Sequence, residues 1–272
     1  MTKRVLAVLF VVVVAAGVAW FALAPAQGQQ QGFRPARTAD GKPDFSGIWQ
    51  ALNTANWDIQ DHGARQGPVV ALGAAFSVPG GQGVVEGNDI PYQPWAAAKK
   101  KENGDNWVKL DPEVRCFMPG IPRAAYMPFP FQIVQTPGHI LMAYEFASAS
   151  RIIYVDGKVA APTESWMGNS NARWDGDTLV VDVTDLIDQT WFDRAGNFHS
   201  EALHVTERYT LTDANTLRYE ATIEDPKVFT RPWKMSMPLY RRQEKNAQLV
   251  EYKCVEFAEE LMYGHLRKKT SR

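Results

Sequence analysis

Residues 166–225 read WMGNSNARWDGDTLVVDVTDLIDQTWFDRAGNFHSEALHVTERYTLTDANTLRYEATIED, and two strand pairs in this stretch decide the fold of the remainder. The first pair turns at Asp175-Gly176, a dipeptide suited to the positive φ of a tight hairpin, and leads into the β-branched run 178–184. The second turns within 212–215. That connection sets Leu211 opposite Leu217, Tyr209 opposite Tyr219, Glu207 opposite Ala221 and Val205 opposite Ile223. All eight share one side of the sheet, because strand side chains alternate. The other side pairs Arg208 with Glu220, Thr206 with Thr222 and His204 with Glu224, a solvent face whose cross-strand pairs contribute a few tenths to about 1 kcal/mol each. Glu207 is the residue that does not fit. An unpaired carboxylate between Val205 and Tyr209 is strongly disfavoured, so the register demands a neighbouring Arg, other hydrogen-bond donors or a wet cavity.

Working outward, residues 131–136 and 139–146 form a hairpin about Pro137-Gly138, and 151–155 continues the sheet to Asp156-Gly157. Residues 233–242 and 249–257 supply later strands about the turn at 244–246. With Gly47–Gln50 this gives about ten strands, and strands joined by short hairpins make an antiparallel meander. A meander of this length curls and closes, so the expected class is mainly β, a lipocalin-like barrel with one short helix and a long N-terminal irregular region. The helix falls in residues 89–104, with Pro94 in its first turn and Asn103-Gly104 as its stop. The Asp44–Trp49 segment carries a G-x-W start, which resembles the opening of lipocalin-like barrels. The barrel domain is expected over 44–258, with 52–130 as a lid or crossing segment and 259–272 as a basic tail. Prolines at 112, 119, 122, 128 and 130 forbid a central strand and favour a segment lying across the barrel mouth. Such a segment would offer Arg115, Arg123 and Tyr126 to whatever is bound there.

The net charge of −1 and pI near 6.5 provide no basic face for nucleic acid. Nine Trp favour either an aromatic-lined cavity or a heavily stacked β core. Residues 1–26 combine a basic start, an apolar run from Val5 to Leu23 and Ala24-Pro25-Ala26, which reads as a signal peptide or an uncleaved N-terminal membrane anchor. Residues 27–43 form a flexible spacer. Either reading puts the body outside the cytoplasm, periplasmic or secreted, with membrane contact only through 1–26 if uncleaved. There the two cysteines, Cys116 and Cys254, are read as one disulfide, tying the irregular region to the last strand.

The segments IPYQPWA, DPEVRC, GIPRA, PFPFQIVQTPG, WMG, RWDGDTLVVDV, TWFDRAGNFHSEALHVTERY, EATIEDPKVFTRPW and LVEYKC resemble a large family of exported proteins of soil and environmental bacteria. The resemblance spans residues 35–257 and implies an exported β-rich protein. It implies no substrate, cofactor or catalytic residue.

Among residue types with chemistry, the strongest constellation is Asp193, Arg194, His199 and Glu201, with Glu207 and Arg173 as neighbours. A His near neutrality, a carboxylate that fixes its tautomer and an Arg that holds an anion or carbonyl are the parts of proton-transfer or lyase chemistry. The plain alternative is that Asp193 and Asn197 shape a turn around Ala195-Gly196 while His199 bonds a carbonyl. Trp191, Tyr209 and Tyr219, with Arg173, Arg123 and Tyr126, are the residues expected to line a ligand cavity. His199 and His204 are five apart and point to opposite strand faces, and no metal, P-loop, dinucleotide or serine-hydrolase motif occurs, so neither metal nor cofactor is expected. Three readings follow: a barrel binding a hydrophobic or aromatic small molecule, an isomerase, hydratase or lyase using His199 with Asp193 or Glu207, and a structural or interaction protein of the cell envelope.

Overall fold

Nine strands hydrogen-bond in sequence order and close into a barrel in the computed structural model, which describes residues 33–252, 254–256 and 258–266. They are β1 (Gly47–Ala51), β2 (Phe131–Thr136), β3 (His139–Tyr144), β4 (Ser150–Val155), β5 (Asn169–Asp175), β6 (Thr178–Thr184), β7 (His204–Leu211), β8 (Thr216–Glu224) and β9 (Trp233–Arg241). The β7–β8 register follows the alternation read from the sequence, with Tyr209 opposite Tyr219 and Glu207 opposite Ala221. The expected helix forms as α1 (Pro94–Asp105), and a single turn, α2 (Trp107–Leu110), follows it. The expectations for residues 1–26, for 27–32 and for 267–272 lie outside the described residues.

Three features depart from the expected meander. First, β4 and β5 are parallel, with Ile153 paired to Ser170 and Val155 to Ala172. Asp156-Gly157 does not reverse the chain into a hairpin. Instead residues 156–168 return along the barrel before β5 begins, the kind of crossover a parallel pair requires. Asn171 fixes that return, accepting from the Val159 N–H at 2.8 Å and donating to its carbonyl at 3.0 Å. Second, the described residues of 249–257 form no strand. The reason is closure: β9 pairs with β8 on one side and β1 on the other, so no edge is left for a tenth strand. The segment is instead fastened by the Cys116–Cys254 disulfide and by Tyr252 against Phe129, with ring centroids 4.6 Å apart. Third, the tail begins with a short helix, α3 (Ala258–Tyr263).

The seam of the barrel explains the G-x-W start. Gly47 has φ +142°, and a Cβ there would collide with the guanidinium of Arg241. That guanidinium lies 4.2 Å from the centre of the buried Trp49 ring, which in turn donates Nε1–H to the Phe45 carbonyl at 2.9 Å. The positive φ favours glycine here, and its bare Cα leaves room for the cation that β9 delivers over the indole at the closing pair Trp49–Arg241.

The strand directions also gather the chemistry. The connections 52–130, 185–203 and 225–232 all leave and re-enter the barrel at one end, while the other end has the tight turns at 137–138, 176–177 and 212–215. Polar segments far apart in sequence are therefore forced together at a single mouth.

Candidate functional site

Two buried polar clusters, and an open pocket that adjoins the second, carry the candidate chemistry. The first cluster lies inside the barrel. Arg151 reaches from β4 across the lumen to Glu207 on β7, Nη1 to Oε2 at 2.7 Å. The hydroxyls of Tyr209 and Tyr219 donate to Glu207 Oε1 at 2.9 and 2.8 Å, and Arg151 Nη2 donates to the Tyr209 oxygen at 2.9 Å. Ser170 and Met142 complete the surroundings of the guanidinium. Burial works against the Arg151 charge, but Glu207, with Tyr144 and Tyr209 beside it, outweighs burial and raises its pKa. Burial, and then the Glu207 charge, push both tyrosines well above 10. The carboxylate that the sequence could not place is thus paired with an Arg. The lumen is filled at this level by its own side chains, Glu207 being 0% and Arg151 5% exposed.

The second cluster sits at the mouth, where the long connections meet. Arg123 forms a bidentate pair with Asp111 at 2.8 and 2.9 Å, contacts Glu113 at 3.2 Å and donates Nε–H to Asn56 Oδ1 at 2.9 Å. Glu113 also takes both fork donors of Arg194 at 2.6 and 2.7 Å, and the Arg194 guanidinium lies 4.5 and 4.7 Å from the ring centres of Trp57 and Trp107, which meet edge to face at 5.7 Å. Asp111 is raised by burial beyond what Arg123 returns. Burial also acts to raise Glu113, but the two arginines, Arg194 foremost, bring it below the ordinary value.

Asp193 and Asn197 shape the turn at Ala195-Gly196. Asp193 accepts from the Ile59 N–H at 2.9 Å, the Asn197 N–H at 3.1 Å and the Asn197 amide at 2.5 Å, while Tyr92 donates to Asn197 Oδ1 at 2.8 Å. Burial, reinforced by the charge of Asp58, raises the Asp193 carboxyl to about 7 against the pull of those donors. His199 is buried with both ring nitrogens engaged, Nε2 with the Thr190 hydroxyl at 2.6 Å and Nδ1 with the Ser200 carbonyl at 2.8 Å. Burial lowers its pKa, so the folded protein holds it neutral. Asp225 accepts from the Ser200 N–H and hydroxyl at 2.6 and 2.9 Å, fixing the end of this loop.

The sequence-predicted residues therefore separate into four places. Asp193, Arg194, His199, Arg123 and Trp191 meet at the mouth, but Arg194 faces Glu113 and His199 faces Thr190. Tyr126 is there too, donating to the Phe192 carbonyl at 2.9 Å. The crossing segment thus turns Arg123 and Tyr126 into the protein, not toward an open mouth. Glu207, Tyr209 and Tyr219 are in the lumen. Arg173 stands apart on the outer face of β5, 61% exposed and paired with Asp182, and Glu201 is on the surface with Lys227. Sequence reasoning missed Arg151, Asp111, Glu113, Asn56 and Asp58. Only Asp111 had a local sign, since it caps the turn Pro112–Arg115 by accepting from the Glu113 N–H at 3.0 Å. Among the described residues, no group of three or more His, Cys, Asp and Glu side chains is placed to hold a metal ion.

An open pocket of about 700 Å³ adjoins this mouth cluster, between the segment 58–78 and helices α1 and α2. Asp58, Ala195 and Trp107 form the part of its wall that backs onto the buried network. The helix reaches that wall through two glycines. A Cβ on Gly104 would lie 2.5 Å from the Ala195 carbonyl oxygen, and one on Gly196, at φ +89°, would lie 2.5 Å from the Lys100 carbonyl oxygen. Gly196→Ala combines this overlap with left-handed strain and is expected to lower stability by roughly 2–4 kcal/mol in urea denaturation. An unchanged midpoint would mean the loop and helix are not in contact.

The Asp193 carboxyl also fixes a pH dependence. Its folded pKa is about 7, above the unfolded value, so the unfolded chain releases this proton first and stability falls as pH rises through that window. His199 has the opposite sign: its folded pKa is lowered, so it costs stability on acidification. Asp193→Asn isolates the first effect. The destabilisation by this substitution should be about 2–3 kcal/mol greater at pH 5 than at pH 8, and an equal difference at both would show that Asp193 is ionised throughout.

Compared with known proteins, the sequence matches no family model and no curated relative.

Proposed function

We propose that the chain is an exported binding protein for a small molecule with an aromatic or apolar body, seated in the pocket beside α1 and not within the barrel lumen. The observation that carries this reading is the contrast between the two spaces. The lumen is bridged by Arg151 and Glu207, whereas the pocket is open, about 700 Å³, and within the range of small-molecule sites. Its wall is also held in place. Trp107 is braced by Arg194, and Ala195 by the Asp193–Asn197 turn, so binding would lose little order in the protein. The disulfide fits an oxidising compartment, in keeping with export.

Native mass spectrometry of the protein purified from the periplasm tests this reading. Wild type should carry a non-covalent adduct, and Gln66→Trp, which places an indole in the exposed pocket lining, should lose it. An adduct that survives Gln66→Trp would move the ligand elsewhere.

One observation favours a second reading, an acid–base enzyme such as an isomerase, hydratase or lyase working in the same pocket. Asp58 lines the pocket and interacts electrostatically with Asp193, whose carboxyl is tuned near neutrality. His199 would then position the loop and not exchange protons with substrate, since both its nitrogens are engaged inside the protein. Asp58→Asn separates the readings: a binding protein keeps its ligand, whereas an enzyme keeps the ligand and loses turnover.

A further inference from the structure

The pocket beside α1 is unbalanced in charge. Its lining contains Arg65, Lys100, Lys101 and Lys109 against Asp58 and Asp105. Lys101 and Asp105 neutralise each other at 2.5 Å across one helical turn. Arg65, Lys100 and Lys109 have no acidic partner among the described residues, and Asp58 is the one carboxylate left to face them. These three cations come from three different elements. Lys100 is on α1 and Lys109 in the last turn of α2. Arg65 is on a segment pinned to Val78 by reciprocal backbone bonds of 3.1 and 2.9 Å. Their convergence does not follow from helix periodicity, as a solvated charged face would.

Three like charges round one concavity repel each other and raise the local concentration of counter-ions, and a bound anion relieves the repulsion. Asp58 makes the field uneven, because an anion placed beside it is repelled while a hydrogen-bond donor is attracted. The apolar part of the lining is Pro68, Val78, Trp107, Val108 and Ala195. We propose that the pocket selects an organic monoanion, an oxyanion group joined to an aromatic or apolar body. Its charged end lies toward Arg65, Lys100 and Lys109, and its body against Trp107 and Val108. This rests on the binding reading above and adds the ligand's charge to it.

The test compares two fluorescent probes of the same skeleton, anilinonaphthalene sulfonate and the uncharged phenylnaphthylamine, on the full-length exported protein. The sulfonate should bind about tenfold or more tightly than the uncharged probe, since each exposed cation contributes a factor of roughly two to five. The advantage should shrink as salt is raised from about 0.02 to about 0.5 M, where screening shortens the reach of these charges. Replacing Arg65, Lys100 and Lys109 together by glutamine should remove the advantage and leave binding of the uncharged probe unchanged. Gln66→Trp should abolish binding of both. Equal affinities for the two probes, both lost in Gln66→Trp, would overturn the charge selection while leaving the pocket as the binding place. Failure of both probes to bind, or binding indifferent to Gln66→Trp, would overturn the selection and the pocket together.

Discussion

Glu207→Leu should destabilise the protein by about 3–5 kcal/mol, measured by urea denaturation followed through tryptophan fluorescence. The substitution removes little volume, so a cavity is not the cause. Among the described residues, the Arg151 guanidinium, 5% exposed, loses its one carboxylate partner, and its Nε already has no acceptor. The hydroxyls of Tyr209 and Tyr219 lose the oxygen to which both donate. Removing the cation as well, in Arg151→Met with Glu207→Leu, should recover part of the loss, since a buried pair can be exchanged for apolar side chains at little net cost. Adding Tyr209→Phe and Tyr219→Phe should recover most of the remainder, because the last unpaired polar atoms are then gone. A single variant as stable as wild type would show that the Arg151–Glu207 bridge does not form.

Arg123→Leu is expected to cost a similar amount, about 3–5 kcal/mol, for a related reason with a different pH signature. Asp111 is fully buried, and Arg123 supplies both of its charged contacts. Glu113 keeps Arg194, so the damage concentrates on Asp111. Burial already raises the Asp111 carboxyl with Arg123 present, and loss of the cation raises it further. A folded pKa above the unfolded one means that stability falls as pH rises, so acidification should relieve the variant. Its deficit relative to wild type should be smaller at pH 5 than at pH 8. A deficit that grows on acidification would show that Asp111 is not the group left unpaired.

How far the site could be read from the sequence depends on the distance over which each residue is determined. The β7–β8 register, the inward Glu207 and its need for a cation follow from alternation about one short turn, and the structure supplies Arg151. The helix at Pro94–Asp105 follows from its proline start and the stop near Asn103-Gly104, though it continues one residue further. The cysteine pairing followed from there being two cysteines, and the disulfide joins them over a separation of 138 residues. In the loop 189–201 the residue types were legible but their partners were not. Asp193 beside His199 in sequence suggested a pair, whereas the turn at Ala195-Gly196 directs Asp193 to Ile59 and Asn197 and leaves His199 to Thr190.

By itself the sequence determined what local periodicity and turn chemistry can determine: a β-rich chain, its hairpins, which side chains face inward, and one carboxylate in need of a partner. Only the tertiary structure decided that the partner is Arg151, that β4 and β5 run parallel, and that Asp111, Glu113, Arg123 and Arg194 share one buried network. The physical reason is closure. Joining β1 to β9 brings opposite walls and three long connections within hydrogen-bond distance, and that proximity depends on the register of all nine strands together, not on the sequence spacing between any two residues.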